Sequence, residues 1–250
     1  MLTWNIMHGG GANRLPWIGL ALLEWAPDVI AITEFRRARG GALRAVLADH
    51  GWKHQAHASG KPGENLVFVA SRTPMTRVDT HDELGGLRAR LLTVELACGT
   101  GVTAAHIPDA RRSDTGGMAA RTAVWRALLR RARAARHGRH VVLGDLNTGR
   151  HRLDEAGATF SCTALLGELV SMGYIDAWRA VHGARARQGS WISHAGCAFR
   201  LDHALVSGSL AGAVRGAEYG QNALKTRLSD HAPLVVELAS ERADRSPAAA

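Results

Sequence analysis

The chain is 250 residues long, 46% hydrophobic and 21% charged, with only 5% aromatic residues and a formal net charge of +9. That composition supplies a substantial core and excludes an intrinsically disordered chain, and no stretch reaches the roughly 18 apolar residues a membrane span needs. The sequence pI near 10.6 favours polyanionic partners such as nucleic acid, although almost all the positive charge is Arg, with Lys only at Lys53, Lys61 and Lys225, a bias that base composition alone also produces.

The opening residues, Met1-Leu2-Thr3-Trp4-Asn5, carry no basic region followed by a long apolar run and so do not read as a secretory signal. Gly9-Gly10-Gly11 has no Lys-Ser/Thr after it and reads as a flexible turn, not a phosphate loop. A helix is expected from about Pro16 to Trp25, with Pro16 in its first turn. Val29 to Thr33 reads as a buried strand ending at Glu34; Leu66 to Ala70 and Leu91 to Leu96 read the same way. Val102 to Ala105 is a further strand, running into His106-Ile107-Pro108-Asp109. A long helix is expected over Thr115 to Ala135. Val124, Leu128 and Leu129 form its apolar face, and Arg121, Arg126, Arg130, Arg133 and Arg136 decorate the remainder. Val141 to Leu143 leads into Gly144-Asp145-Leu146-Asn147, and Leu234 to Leu238 closes the chain of strands. Residues 240–250 read as a frayed tail, and with no linker elsewhere the expectation is one domain over 1–239. Strands outnumber helices and few pairs suggest βαβ alternation, which argues for stacked sheets covered by helices. Cys98, Cys162 and Cys197 contain no metal-type pair and fit free, buried thiols in a reducing, cytoplasmic setting.

Several strands end in polar residues, where loops held by a rigid sheet usually build sites. Each has a bland reading. Asn5 caps a turn, Glu34 is a solvated strand-end charge, and Asp145 and Asn147 follow a Gly as turn residues do. Asp202 pairs with Arg200, His106 is a strand exit, and His231 is a structural histidine. Together and in order, however, Trp4-Asn5, Ile32-Thr33-Glu34, Gly144-Asp145-Leu146-Asn147, Arg200-Leu201-Asp202 and Ser229-Asp230-His231 form a pattern. On these motifs the sequence resembles the endonuclease/exonuclease/phosphatase superfamily, the DNase I-like hydrolases, over about residues 3 to 239. Gly173-Tyr174-Ile175-Asp176-Ala177-Trp178-Arg179 and Ser190-Trp191 are similar to segments of the exonuclease III-type apurinic endonucleases. One segment departs from that branch: His106-Ile107-Pro108-Asp109 stands where it usually has Tyr-x-Pro-Asn.

The resemblance implies an α/β fold, a four-layered sandwich of two packed, mainly antiparallel sheets flanked by helices. It implies metal-dependent hydrolysis of phosphodiesters. Such a reaction needs an in-line water and neutralised phosphoryl oxygens, for which a hard cation such as Mg²⁺, with Mn²⁺ as a substitute, is suited. Glu34 is then the first metal ligand, with Asn5 and Asp230 beside it. Asp145 is the base or water-orienting group next to Asn147, whose amide donates to the phosphate. His231, partnered by Asp202, acts in acid–base work or as a donor, and His106 reaches the phosphate from the opposite side. Asp109, Arg111, Arg112 and Trp191 are candidate substrate contacts. The arginines between 111 and 139 account for most of the net charge, which points to a nucleic-acid backbone as partner. The expected function is therefore a DNA endonuclease or exonuclease acting as a monomer, with no membrane and no obligate protein partner. Two alternatives stay open: a phosphatase or phosphodiesterase on a small or lipid phosphate ester, which His106 and Asp109 favour, and a nucleic-acid-binding protein without turnover.

Overall fold

A computed structural model describes residues 1–79, 81–109 and 114–239. The expected tail at 240–250 and the candidate contacts Arg111 and Arg112 lie outside the described residues. The continuous apolar runs become strands covered on both faces, because alternate side chains point into two different cores. In chain order the elements are β1 (Leu2–Asn5), α1 (Gly11–Trp25), β2 (Val29–Phe35), α2 (Gly41–Asp49), β3 (His54–His57), β4 (Leu66–Ser71) and β5 (Met75–Asp79). A 3-10 segment, Asp82–Arg90, precedes β6 (Leu91–Leu96), β7 (Gly101–His106), α3 (Thr115–Ala135), β8 (His140–Asp145) and α4 (Thr163–Ser171). Then come β9 (Ile175–Asp176), α5 (Ala177–His182), β10 (Trp191–Ile192), β11 (Ala198–Phe199) and β12 (Asp202–Val206). After a second 3-10 segment, Gly208–Ala213, β13 (Val214–Tyr219), α6 (Asn222–Lys225) and β14 (Leu234–Leu238) complete the fold.

Two six-stranded sheets result, in the orders β13-β14-β1-β2-β4-β3 and β5-β6-β7-β8-β12-β9, with β10 and β11 as a separate hairpin. Val29, Ala31, Val67 and Val69 of the first sheet pack against Val94, Val102, Val141 and Leu143 of the second. The opposite face of the first sheet, with Ile30, Ile32 and Phe68, packs on Ile18 and Leu22 of α1 and on Leu43 and Leu47 of α2. Val142 and Leu205 of the second sheet meet Val124, Trp125 and Leu128 of α3 and Leu166 and Leu169 of α4. Three apolar seams between four layers make the α/β sandwich that the resemblance implies.

The sheets are topological copies of one another. Each holds one parallel pair, β1 with β2 and β7 with β8, and every other pairing between neighbours is antiparallel. Each parallel pair is joined by a helix, α1 or α3, so two βαβ units sit at the sheet centres where the sequence suggested few. A parallel pair delivers both strand ends to the same edge. β1, β2, β7 and β8 thus end at Asn5, just past Glu34, at His106 and at Asp145.

Two local expectations change. Helix α1 begins five residues before Pro16, which lies inside it; the chain enters through Met7 to Gly11, five successive residues at φ between 53° and 78°. The glycine run is therefore a defined left-handed turn and not a flexible one. A Cβ on Gly10 would come within 2.9 Å of Ile18 Cδ1. Pro16 withholds an N–H from the carbonyl of Ala12, an exposed residue where solvent reaches. The cysteines are free, but Cys98 and Cys197 are exposed and Cys162 half-buried: they occupy the β6–β7 turn, the β10–β11 turn and the N-cap of α4, and none lies on a core face. Among the described residues, no helix is long and apolar enough to cross a membrane.

Candidate active site

A cavity of about 320 Å³ opens at the shared edge where the two βαβ units end, lined by Asn5, Glu34, His106, Asp145, Asn147 and His231 among others. Asn5 is 2% exposed at the end of β1. Its Oδ1 accepts from the Met7 N–H at 3.0 Å, which turns its amide nitrogen inward. Nδ2 then donates to Asp145 Oδ2 at 2.9 Å and to Glu34 Oε1 at 3.3 Å. Asn5 is thus a tether between two carboxylates, with its oxygen accepting from the backbone and its amide nitrogen turned to the cavity.

Glu34 follows an irregularity in the β2–β4 register and sits at φ 58°, a left-handed conformation that costs a non-glycine residue about 1 kcal/mol or more and is usually held in place by its surroundings. Its Oε2 accepts from the His8 N–H at 2.6 Å and from Asn65 Nδ2 at 3.0 Å, while Arg36 Nε holds Asn65 Oδ1 at 2.7 Å. Oε1 is left toward the cavity. Neither His8 nor Asn65 carries a recognisable motif, and sequence reasoning missed both.

Asp145 ends β8 directly after Gly144. Gly144 has φ 139°, and a Cβ there would stand 1.9 Å from the Ala105 carbonyl oxygen, so only glycine lets β7 and β8 approach this closely. Asp145 is 1% exposed. Its Oδ1 accepts from the Asn147 N–H at 3.0 Å. Burial, reinforced by Asp202, pushes its carboxyl above the ordinary range, against the pull of His231 and of the hydrogen bonds from Asn5 and Asn147. Asn147, at φ 48°, donates one amide hydrogen to the Ile107 carbonyl at 2.8 Å and keeps the other free of that bond.

Asp202 begins β12 opposite Asp145 in register. Its bland pairing with Arg200 does not occur. Arg200 is 1% exposed and binds Asp154 and Asp176, with Nε to Asp154 Oδ1 at 2.6 Å, while Arg179 also reaches Asp154. Asp202 is free to take His231 Nδ1 at 2.7 Å, and its backbone N–H donates to Ser190 Oγ at 3.0 Å. Burial disfavours a charged His231, but Asp202 and then Asp145 outweigh it and raise the imidazole above its ordinary value. Its Nε2 faces Asp145 Oδ2 at 4.0 Å. On the other wall, burial and then Arg90 hold His106 well below its ordinary value; its Nε2 lies 3.9 Å from both Glu34 Oε1 and Asp145 Oδ2.

The remaining candidates are less central. Trp191 lines the cavity beside Phe199, with ring centroids 5.6 Å apart. Asp230 is exposed, and its Oδ2 accepts from Trp191 Nε1 at 3.1 Å. Asp109 lines the rim with its side chain 86% exposed. Arg121, expected on the solvated face of its helix, is 1% exposed and donates to the carbonyls of Asn147 and Pro108. The reason is its spacing, since it precedes Val124, Trp125 and Leu128 on one helical stripe. Arg130 and Arg133 pair with Glu83 at 3.0 Å and Glu168 at 2.9 Å, and at about 1.5 Å per residue Arg133 is roughly 18 Å along the axis from Arg121. The basic run on α3 therefore leads away from the cavity. Thr159, Phe160, Ser161, Phe199 and Leu201 complete the lining. Glu155 shapes their loop by accepting the Thr159 N–H at 2.9 Å and the Phe160 N–H at 3.1 Å.

The site is built of hard oxygen donors and imidazole nitrogens. Donor atoms of Asp145, Asp202 and His231 all lie within 4.8 Å of one another, and Asp202 Oδ1 is buried without a hydrogen-bond partner among the described residues. Such a donor set suits a divalent cation, and Glu34 offers its Oε1 to the same cavity beside Asn5.

Comparison with known proteins agrees with the geometry. The family described as "Endonuclease/Exonuclease/phosphatase family" matches residues 2–231. No curated protein matches the chain. Among solved structures, the fold is similar to that of a 3′ phosphatase from Neisseria bound to product DNA hairpin (TM-score 0.82, 23% identity, 96% of this chain and 98% of that one). It is also similar to a 3′-5′ exonuclease from Neisseria meningitidis (TM-score 0.76, 24% identity, 96% and 99%) and to an AP endonuclease from Archaeoglobus fulgidus (TM-score 0.78, 19% identity, 95% and 98%).

Proposed function

The chain belongs to the endonuclease/exonuclease/phosphatase family, and on that premise we propose that it is a metal-dependent phosphoesterase that cleaves DNA at an abasic site or at a 3′ end. Residues 1–239 act as one catalytic domain. The reading rests above all on one observation: Asn5 ties Glu34 and Asp145 together, and Asp145 in turn faces the Asp202–His231 pair, within one cavity. A divalent hard cation, in the cell Mg²⁺, would be held through Glu34 Oε1, with Asp230 as the second candidate ligand. When bound it would neutralise charge on the phosphoryl oxygens.

The chain's own residues then divide the remaining work. Asp145, buried and raised in pKa, orients a water and accepts its proton as the oxygen attacks phosphorus and the ester P–O bond breaks. His231, charged through Asp202, donates its Nε2 hydrogen to a phosphoryl oxygen. The uncommitted Asn147 amide hydrogen and His106 Nε2 do the same from the neighbouring walls. Each preorganised donor of this kind is worth about 3–4 kcal/mol to the transition state. Trp191, Phe160, Phe199 and Leu201 offer an apolar wall for a sugar or base next to the scissile phosphate, which favours a nucleotide over a bare phosphate ester. We place the enzyme in the cytoplasm as a monomer, consistent with three free thiols.

The test is an incubation of the purified protein with two duplexes, one carrying a single abasic site and one a 3′-phosphate at a nick, with Mg²⁺ or with EDTA, beside the Asp145→Ala variant. Metal-dependent incision or phosphate release that the variant lacks is the expected result. Inertness toward both duplexes, with turnover of a small phosphate ester, would move the substrate to the small-molecule class that Asp109 at the rim accommodates. Salt-sensitive DNA binding with no turnover of any ester would overturn the enzyme reading.

A further inference from the structure

Arg90 is the last residue of the 3-10 segment before β6 and lies half-buried behind the cavity wall. Its NH1 stands 2.8 Å from His106 Nδ1. A guanidinium nitrogen only donates, because every one of its lone pairs is delocalised and its pKa keeps it charged. Nδ1 must therefore be the accepting, unprotonated nitrogen. The ring's hydrogen is then on Nε2, which is the nitrogen that lines the cavity 3.9 Å from Glu34 Oε1 and from Asp145 Oδ2. An imidazole left to itself beside two carboxylates would take up a second proton and bind them as an ion pair. With Nδ1 occupied as the acceptor from Arg90, that second proton has no nitrogen to sit on.

We infer that Arg90 is a positioning residue that locks His106 in the neutral Nε2–H form, so that it presents one aimed hydrogen-bond donor to a phosphoryl oxygen. This rests on the proposed phosphoesterase reading for the use of the donor but not for the state of the ring. The arrangement divides labour between the two cavity histidines. His231 is held by a carboxylate on Nδ1, whereas His106 is held by a cation on Nδ1, so two identical side chains supply a charged donor and a neutral one. The neutral donor does not compete with the metal for Glu34, as a second imidazolium would.

Two measurements test this. The first is the long-range ¹H–¹⁵N spectrum of the His106 ring in the ¹⁵N-labelled protein, assigned by its disappearance in His106→Ala. The wild type is expected to show Nδ1 bare and Nε2 protonated. Arg90→Lys, which keeps a cationic donor, is expected to preserve that pattern, and Arg90→Gln is expected to lose it to a mixture of forms. The second is turnover. Arg90→Gln is expected to lower kcat about 30-fold, less than the roughly 10²–10³-fold of losing a donor outright because part of the ring population keeps Nε2–H, with KM changed less than threefold, and Arg90→Lys is expected to restore most of it. In the His106→Ala background, Arg90→Gln is expected to cost nothing further. A His106 ring protonated at Nδ1, an unchanged ring pattern in Arg90→Gln, or the same loss with and without His106 would each overturn the inference. A wild type that shows the Nε2–H ring yet turns over no phosphate ester would instead sink the phosphoesterase reading and leave the Arg90–His106 lock standing.

Discussion

The two βαβ units are copies in connectivity and opposites in environment. β1–α1–β2 delivers Asn5 and Glu34, and the Glu34 side chain is 15% exposed, held by an N–H of the left-handed turn and by Asn65. β7–α3–β8 delivers His106 and Asp145, with side chains 6% and 2% exposed. A carboxylate that keeps one oxygen near water binds a hydrated cation at low desolvation cost. A carboxylate sealed from water and set against another acid rises in pKa and becomes able to accept a proton. On the proposed reading, the same strand-end position would serve as a ligand in one half and a base in the other, and the difference would come from what covers the strand end.

The sharpest way to break this comparison is Asp145→Ala, expected to lower kcat by about 10³-fold while leaving Mg²⁺ binding within a few-fold; a large loss of metal affinity would mean that both halves hold the ion. Next is Asp202→Asn, which removes the charge behind His231. A fall of about 10²-fold in kcat with little change in KM is expected, and steady-state kinetics on the duplex substrates read it. Glu34→Gln gives the reciprocal result. The Mg²⁺ concentration for half-maximal rate is expected to rise at least about tenfold, with saturating metal recovering much of the activity. Failure of excess metal to recover any of it would give Glu34 a role beyond binding.

A smaller and purely structural effect sharpens the contrast further. The Asp145 half rests on a buried ion network beneath Asp202, and no counterpart underlies Glu34 among the described residues. Burial tends to raise Asp154 and Asp176, but Arg200 and His203 outweigh it and hold both carboxyls below the usual range. Because the folded values are depressed, the unfolded chain takes up protons first as pH falls, so this stability is complete above about pH 5 and is lost below about pH 4. A melting curve series should be flat from pH 7 to 5 and drop steeply below 4. Asp154→Ala, which leaves Arg179 and Arg200 short of an anion, should cost about 3–5 kcal/mol, or roughly 10 °C in Tm, and flatten the acid slope.

What was legible in the sequence follows the same division between local and imposed structure. Runs such as Val29 to Thr33 and Leu91 to Leu96 announce strands because both faces are covered, leaving no polar alternation to confuse them. β3, with sequence His54-Gln55-Ala56-His57, is an edge strand of half-buried residues, and nothing apolar marks it. β12 begins with Asp202 and His203, two buried polar residues whose side-chain hydrogen bonds run to distant partners, His231 and the Thr148 carbonyl. At the site, Asn5, Glu34, His106, Asp145, Asn147, Asp202 and His231 were readable because they sit at or beside strand ends in a fixed order; six of them line the cavity, and Asp202 lies buried behind His231. His8, Asn65, Arg90 and Glu155 were not, since each acts through a contact made by folding. Arg121 was readable and misread: its place three and four residues before Val124 and Trp125 put it on the buried stripe, but a run of arginines hid it in an apparently solvated face. Asp230 kept its place in the order of motifs but faces Trp191 at the surface.

The pairing of β14 with β1 sets a schedule for this enzyme. Trp4 Nε1 donates to the His231 carbonyl at 2.8 Å, and Ser229 Oγ donates to the Asn5 carbonyl at 2.6 Å, so β1 is braced by the segment that leads into β14. Asn5, Glu34 and Asp145 leave the ribosome early, yet their cavity lacks one wall until residues beyond 228 emerge and thread back. Closing contacts between residues 224 and 227 positions apart is slow, and until they form Asp145 and Asp202 lack the imidazole of His231. The cavity is therefore complete only once β14 has paired with β1.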